Sequence, residues 1–110
     1  MVEATVIEYL SRSISAPVYV EMPDGESEFV LIEKIGRKKR DWIITDAFMF
    51  QSYAGSLARA IEIDEAVQEA MDKFAETPGI SACRLSSNYN FTDTRYKKYR
   101  YQCTYEITHE

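Results

Sequence analysis

From Tyr99 to Thr108 the chain alternates without a break. Tyr99, Tyr101, Cys103, Tyr105 and Ile107 hold the odd positions, and Arg100, Gln102, Thr104, Glu106 and Thr108 the even ones. A strand sends successive side chains to opposite faces, so this pattern describes an extended segment with one face buried and one facing water. Such a strand needs hydrogen-bonding neighbours and a layer to cover its apolar face. The rest of the chain has to supply both.

The covering layer is legible from 56 to 77, where the period changes to about 3.6. Leu57, Ala60, Ile61, Val67, Ala70, Met71 and Phe74 form one stripe, and Arg59, Glu62, Glu65, Glu69, Asp72 and Glu76 lie on the other side. Asp64 and Glu65 read as an exposed acidic pair that would cap a second helical segment after Ile63, and Pro78-Gly79 ends the helix. A shorter amphipathic helix is expected near the start, on Val2, Val6, Ile7, Leu10 and Ile14, closed by Pro17. Strands are expected at 18–21, at 29–35, at 42–50 and at 80–89. The first is followed by a tight reversal at Pro23-Asp24-Gly25. The second is apolar on both faces in its first half and so reads as central. The Asn90-Phe-Thr-Asp-Thr94 segment reads as a turn. The order α-β-β-β-α-β-β, with short links that imply antiparallel pairing, predicts an α+β fold. It is a two-layer sandwich, a mainly antiparallel sheet of about five strands with two helices on one face, filling residues 1–110 as a single domain.

Length and composition agree with one folded domain: 110 residues, 45% hydrophobic and 28% charged. Apolar runs such as Phe29–Ile32 and Ala47–Phe50 fall well short of the roughly 18 residues that a bilayer crossing needs. The first residues lack a basic region followed by an apolar core, so residence in a reducing cytoplasm is expected. The formal charge of -5 is unevenly distributed. Residues 1–33 carry seven acids against Arg12, and 34–41 carry five bases against Asp41. Acids lead again through residue 94, and bases lead from 95 onward. Blocks of this kind give one molecule faces of opposite sign, suited to head-to-tail association.

Candidate chemistry is sparse. Cys83 and Cys103 stand on successive expected strands, where a hairpin would let them face each other; in a reducing compartment they read as two thiols rather than a disulfide. His109, the only histidine, lies next to last and is expected to fray, and no Cys pair has zinc-ligand spacing. The four glycines are scattered, so no phosphate-cradling loop is expected. No catalytic residue, cofactor or metal site is expected. One cluster remains: Arg37, Lys38, Lys39 and Arg40, expected in a loop opened by Gly36 and singled out as a candidate interface. The tyrosines at period two are read as sheet packing, the net acidity argues against tight general nucleic-acid binding, and no specific nucleic acid is expected as a partner.

The segments Phe29-Val-Leu-Ile-Glu-Lys34, Gln51-Ser-Tyr-Ala-Gly-Ser-Leu57, Ile63-Asp-Glu-Ala-Val-Gln-Glu-Ala-Met71, Ser87-Asn-Tyr-Asn-Phe-Thr-Asp-Thr94 and Tyr99-Arg-Tyr-Gln102 carry a resemblance. In order and wording the stretch from about 18 to 108 resembles the tail-terminator, or tail-completion, proteins of the head-tail joining cluster of long-tailed phages and prophages of Gram-positive bacteria. The resemblance implies a structural subunit with no reaction and no cofactor. It implies a homo-oligomer, a hexameric ring at the head-proximal end of the tail tube, with the tube protein and the head connector as partners. It places the protein in the host cytoplasm during assembly and in the virion afterwards, with DNA passing through the ring lumen and no membrane involved. The competing class is a small α+β adaptor that reads a peptide or single-stranded nucleic acid. The outward residues Arg100, Gln102, Thr104 and Glu106, which mix charges without an aromatic row, disfavour nucleic acid as its partner.

Overall fold

In chain order the elements are α1 (Val2–Ser13), β1 (Val18–Tyr19), β2 (Phe29–Arg40), β3 (Ile43–Ala54), α2 (Leu57–Asp72), a 3-10 turn (Phe74–Glu76), β4 (Ile80–Asn90) and β5 (Tyr99–His109). They come from a computed structural model, which describes residues 2–92 and 98–110. The strands form one sheet in the order β1-β2-β3-β5-β4, antiparallel at every pairing except β1 with β2. The expected α+β architecture is present: both helices lie against one face of a mainly antiparallel five-stranded sheet.

Period-two alternation places the core. Cys103, Tyr105 and Ile107 of β5 are fully buried, and in register with them stand Phe50, Phe48 and Asp46 of β3. Val30 and Ile32 of β2 continue the same face. Val2, Val6 and Leu10 of α1 and Ala60, Ile63, Val67, Ala70 and Met71 of α2 close over it. Each large side chain buried this way contributes roughly 1.5–3 kcal/mol. Polar fasteners set the helix positions. Tyr9 donates to the Ala70 carbonyl at 2.6 Å and meets Phe74 edge-on at 5.0 Å, locking α1 to the end of α2. Tyr105 donates to the Asp72 carboxylate at 2.8 Å, and burial together with that acceptor holds its hydroxyl well above the usual tyrosine range.

Several expectations are corrected. The first strand keeps only Val18–Tyr19 of the expected 18–21 and runs parallel to β2, with no tight antiparallel reversal at Pro23-Asp24-Gly25. A two-residue strand needs only a short return, so residues 20–28 suffice to bring the chain back alongside it, and Val30 donates to the Pro17 carbonyl at 2.8 Å. In its apolar first half β2 lies between β1 and β3, as expected of a central strand, and beyond Leu31 it pairs with β3 alone. β3 and β5 are paired on both sides along their length. The long helix runs through Ile63 without a break and ends in the 3-10 turn. Ser56 supplies its cap by accepting from the Arg59 amide at 3.2 Å. Asp64 is no cap and is not exposed: it lies 1% exposed on the inner face, accepting from Gln68 at 2.6 Å and Asn88 at 2.9 Å, which ties α2 to β4. Burial raises its pKa above the usual carboxylate value. Cys83 and Cys103 do not face each other, because the register sets Cys83 opposite Ile107 and Asn88 opposite Cys103; both thiols are free. Burial pushes Cys83 up to about 12 and Cys103 higher still. Of the segment expected to turn, Asn90 belongs to β4 and accepts from the Thr92 amide at 3.0 Å, while Asp93 and Thr94 lie outside the described residues.

The face opposite the helices is built from side chains that shield one another. Phe29 stacks on Tyr53 at 4.7 Å, and Arg100 donates to Gln51 at 2.8 Å and Tyr53 at 2.9 Å while lying over the Phe91 ring at 4.2 Å. Tyr89 and Phe91, contributed by β4 and the residues after it, are exposed on this side. Outward aromatics are therefore present although β5 itself provides none.

Phe50 is fully buried between Ile32 and Cys103 in the register. Phe50→Ala is expected to cost about 3–5 kcal/mol of unfolding free energy, read as a shifted midpoint in urea with the slope preserved.

Candidate functional site

β2 and β3 run together for twelve residues each, pairing from Phe29 with Tyr53 to Arg40 with Ile43, and turn through Asp41 and Trp42 alone. Asp41 takes φ of 56°, the left-handed value that two-residue hairpin turns require at their first central position and that Asp tolerates better than most residues. The expected loop at 37–40 is thus strand. The basic residues pair with Ile43 to Asp46 in a ribbon whose tip is only two residues long. Gly36 opens no loop; the register shifts between Lys34 and Gly36 instead.

That irregularity decides where the cations point. Lys34 stands opposite Phe48 and Arg37 opposite Asp46, so both project to the helix-covered side although three positions separate them. There Asp46, whose side chain has no solvent exposure, accepts from Arg37 Nε at 2.6 Å and Nη2 at 3.2 Å. Lys34 Nζ lies 3.4 Å from it, and His109 Nε2 of β5 lies 2.8 Å from its other oxygen. Glu3 of α1 completes the cluster at 2.7 Å from Lys34, a contact that lowers its own pKa. Burial alone would raise the Asp46 carboxyl, but the hydrogen bonds from Arg37 and His109 and the Lys34 charge outweigh it and bring the group to about 2. His109 is therefore packed into the base of the ribbon rather than frayed.

The four candidate residues separate into two roles. Arg37 belongs to the Asp46 cluster. Lys38, Lys39 and Arg40 are exposed and, among the described residues, their side chains make no hydrogen bond or ion pair within the chain. Beside them stand three apolar side chains that sequence reasoning assigned to strand packing or left without a role. Trp42 is 87% exposed, Ile43 53% and Ile35 50%. The signal for them was the apolar pair directly after Arg-Lys-Lys-Arg-Asp, which makes sense only once Asp41 is recognised as the turn. A tryptophan held in water by a tight turn and flanked by unpaired cations has the composition of an interface anchor.

Elsewhere the chemistry is limited. Among the described residues no three His, Cys, Asp or Glu side chains are grouped to hold a metal ion. Among the same residues no helix is long and apolar enough to cross a membrane. At the opposite end of β2, residues 22–27 with Phe29, Tyr53 and Lys98 line an open cavity of about 330 Å³. No family model and no curated protein matches the chain.

A carboxyl whose folded pKa is depressed contributes stability above its unfolded pKa and loses it as pH falls through the folded one. For Asp46 that window runs from 3.8 down to about 2. Allowing for solvent screening of half-exposed Arg37, the contribution is about 1–2 kcal/mol. Wild-type stability, followed by urea titration at successive pH values, is expected to fall across this window. Asp46→Asn is expected to be less stable at neutral pH and to show a flatter acid limb; parallel curves would remove the cluster from the account.

Proposed function

We propose that the chain is a structural subunit of a long-tailed phage or prophage, a tail terminator or tail-completion protein. It forms a ring at the head-proximal end of the tail tube and joins it to the head connector. The observation that carries the reading is the β2–β3 ribbon, which ends in an exposed Trp42 and in Lys38, Lys39 and Arg40, whose side chains have no partner among the described residues. A lone domain gains nothing from holding an indole in water; a subunit of an assembly does, because burial at a contact recovers the hydrophobic free energy. The sequence resemblance over residues 18–108 supplies the identity of the assembly. The acidic excess of the whole chain suits a lumen through which DNA slides without adhering. In this reading the protein acts in the host cytoplasm while tails are built and stays at the head-tail junction of the virion.

Deleting the gene from the phage or prophage that carries it is expected to give tubes of uncontrolled length that fail to join heads, seen by electron microscopy. Normal tails joined to heads in the deletion would overturn the reading. In the same assay the triple variant Lys38→Ser, Lys39→Ser, Arg40→Ser is expected to fold, by circular dichroism, yet fail to restore tails. Arg37→Ser is expected to lose stability instead, since it leaves buried Asp46 short of its main partner.

A further inference from the structure

We infer that the ribbon tip of one copy docks into the cavity at the far end of β2 of the next copy, with Trp42 as the anchor. The inference rests on the ring reading and names its contact. β2 spans twelve residues, about 40 Å of strand at the usual rise, in a molecule whose longest extent is 45 Å. Its two ends therefore lie at opposite ends of the long axis. One end carries Lys38, Lys39 and Arg40 around Trp42. The other is preceded by Glu21, Asp24, Glu26 and Glu28, with no cation from 20 to 28.

The acidic end is also hollow. Met22, Pro23, Phe29 and Tyr53 provide apolar and aromatic walls for the cavity of about 330 Å³, with Asp24 and Glu26 in its lining and Lys98 as one opposing charge. The volume lies at the lower end of the range that accepts small organic groups, and an indole is such a group. The cavity is partly fixed in place: Tyr19 donates to Glu26 at 3.0 Å, Glu28 is held by Arg59 at 3.0 Å, and Phe29 stacks on Tyr53. Seating Trp42 would bury the most exposed large apolar side chain among the described residues and bring to the acidic loop three cations that are unpaired among those residues. Asp41, beside the indole, would face Lys98. Because the tip and the cavity are different surfaces of the same chain, the contact is heterologous, the type that a cyclic assembly requires.

Trp42 is the only tryptophan, so its fluorescence reports on its own burial. Sedimentation velocity and fluorescence are followed together over a concentration series of the full chain. Association with a matching blue shift is expected, weakened by added salt. Trp42→Ala, Asp24→Lys with Glu26→Lys, and Lys38→Glu with Lys39→Glu and Arg40→Glu are each expected to weaken association by roughly tenfold or more while the fold survives, all these positions being exposed. Mixing the two charge-reversed proteins is expected to restore association, since each tip then meets a loop of opposite sign. A chain that stays monomeric, a blue shift indifferent to Asp24→Lys with Glu26→Lys, or reversed variants that do not rescue each other would overturn the contact. Tail assembly separates this from the ring reading. If Trp42→Ala restores tails in the deletion, the contact falls and the ring reading stands. If association behaves as expected but the deletion makes normal tails, the ring reading falls and the contact stands.

Discussion

A carboxylate shut away from water has to be surrounded by donors, and Asp46 meets that condition by drawing them from two other strands. Arg37 and Lys34 come from β2 and His109 from β5, while Glu3 of α1 balances Lys34. Removing one member leaves a charge desolvated and unpaired, which costs several kcal/mol where the intact cluster contributes far less. The cluster therefore enforces geometry more than it adds stability. It pins the base of the ribbon to β5 and α1 at the level where the hydrophobic core ends, and the pairs that continue to Arg40 and Ile43 inherit their direction from it.

What was legible in the sequence follows from how local each cause is. Period two at 99–108 and period 3.6 at 56–77 come from which face of a single element is buried, so β5 and α2 are found nearly in place. The parallel β1 was not legible, because two residues are too short for any pattern and their pairing depends on where residues 20–28 return. Asp64 misled for a related reason. An acid beside Glu65 on a helix looks solvated until the tertiary partner Asn88, joined by Gln68 one turn along the same helix, satisfies it on the inner face. The basic run was noticed for its charge, but the shift near Ile35 that brings Arg37 to the same face as Lys34 is a register effect with no one-dimensional signature. Trp42 was hidden by its own apolarity: hydrophobic residues are assigned to cores by default, and only the turn at Asp41 places this one in water.

The charge of -5 takes on a different meaning in three dimensions. Part of the basic block is consumed internally, since Lys34 and Arg37 neutralise Asp46 and Glu3. The remaining three cations lie at one end, and the acids of the 20–28 segment lie at the other. The sum over the chain conceals two local patches of opposite sign, the tip and the 20–28 loop, the latter beside Lys98 and Arg100; patches of this kind would orient an approaching copy before any contact forms. Screening limits the effect to distances of about 8–10 Å at ordinary salt, so charge selects orientation while apolar burial has to supply the affinity.

A tip and a cavity at opposite ends of a straight strand would, by themselves, add copies along a line, and a line of heterologous contacts is a filament. Closure into a ring requires each contact to turn the next copy by a fixed angle. β2 contains a device for this: the register shift between Lys34 and Gly36 is the kind of irregularity that bends a strand and increases its twist. It lies between the paired core half of β2 and the ribbon, where a change of direction moves the tip relative to the cavity without disturbing either. The Asp46 cluster stands beside it and ties the ribbon to β5 through one fully buried carboxylate, so in the proposed ring this cluster would fix the angle. On this argument the residues that decide between a closed ring and an open chain are those at the shift and beneath it, and the residues at the tip decide only whether copies meet.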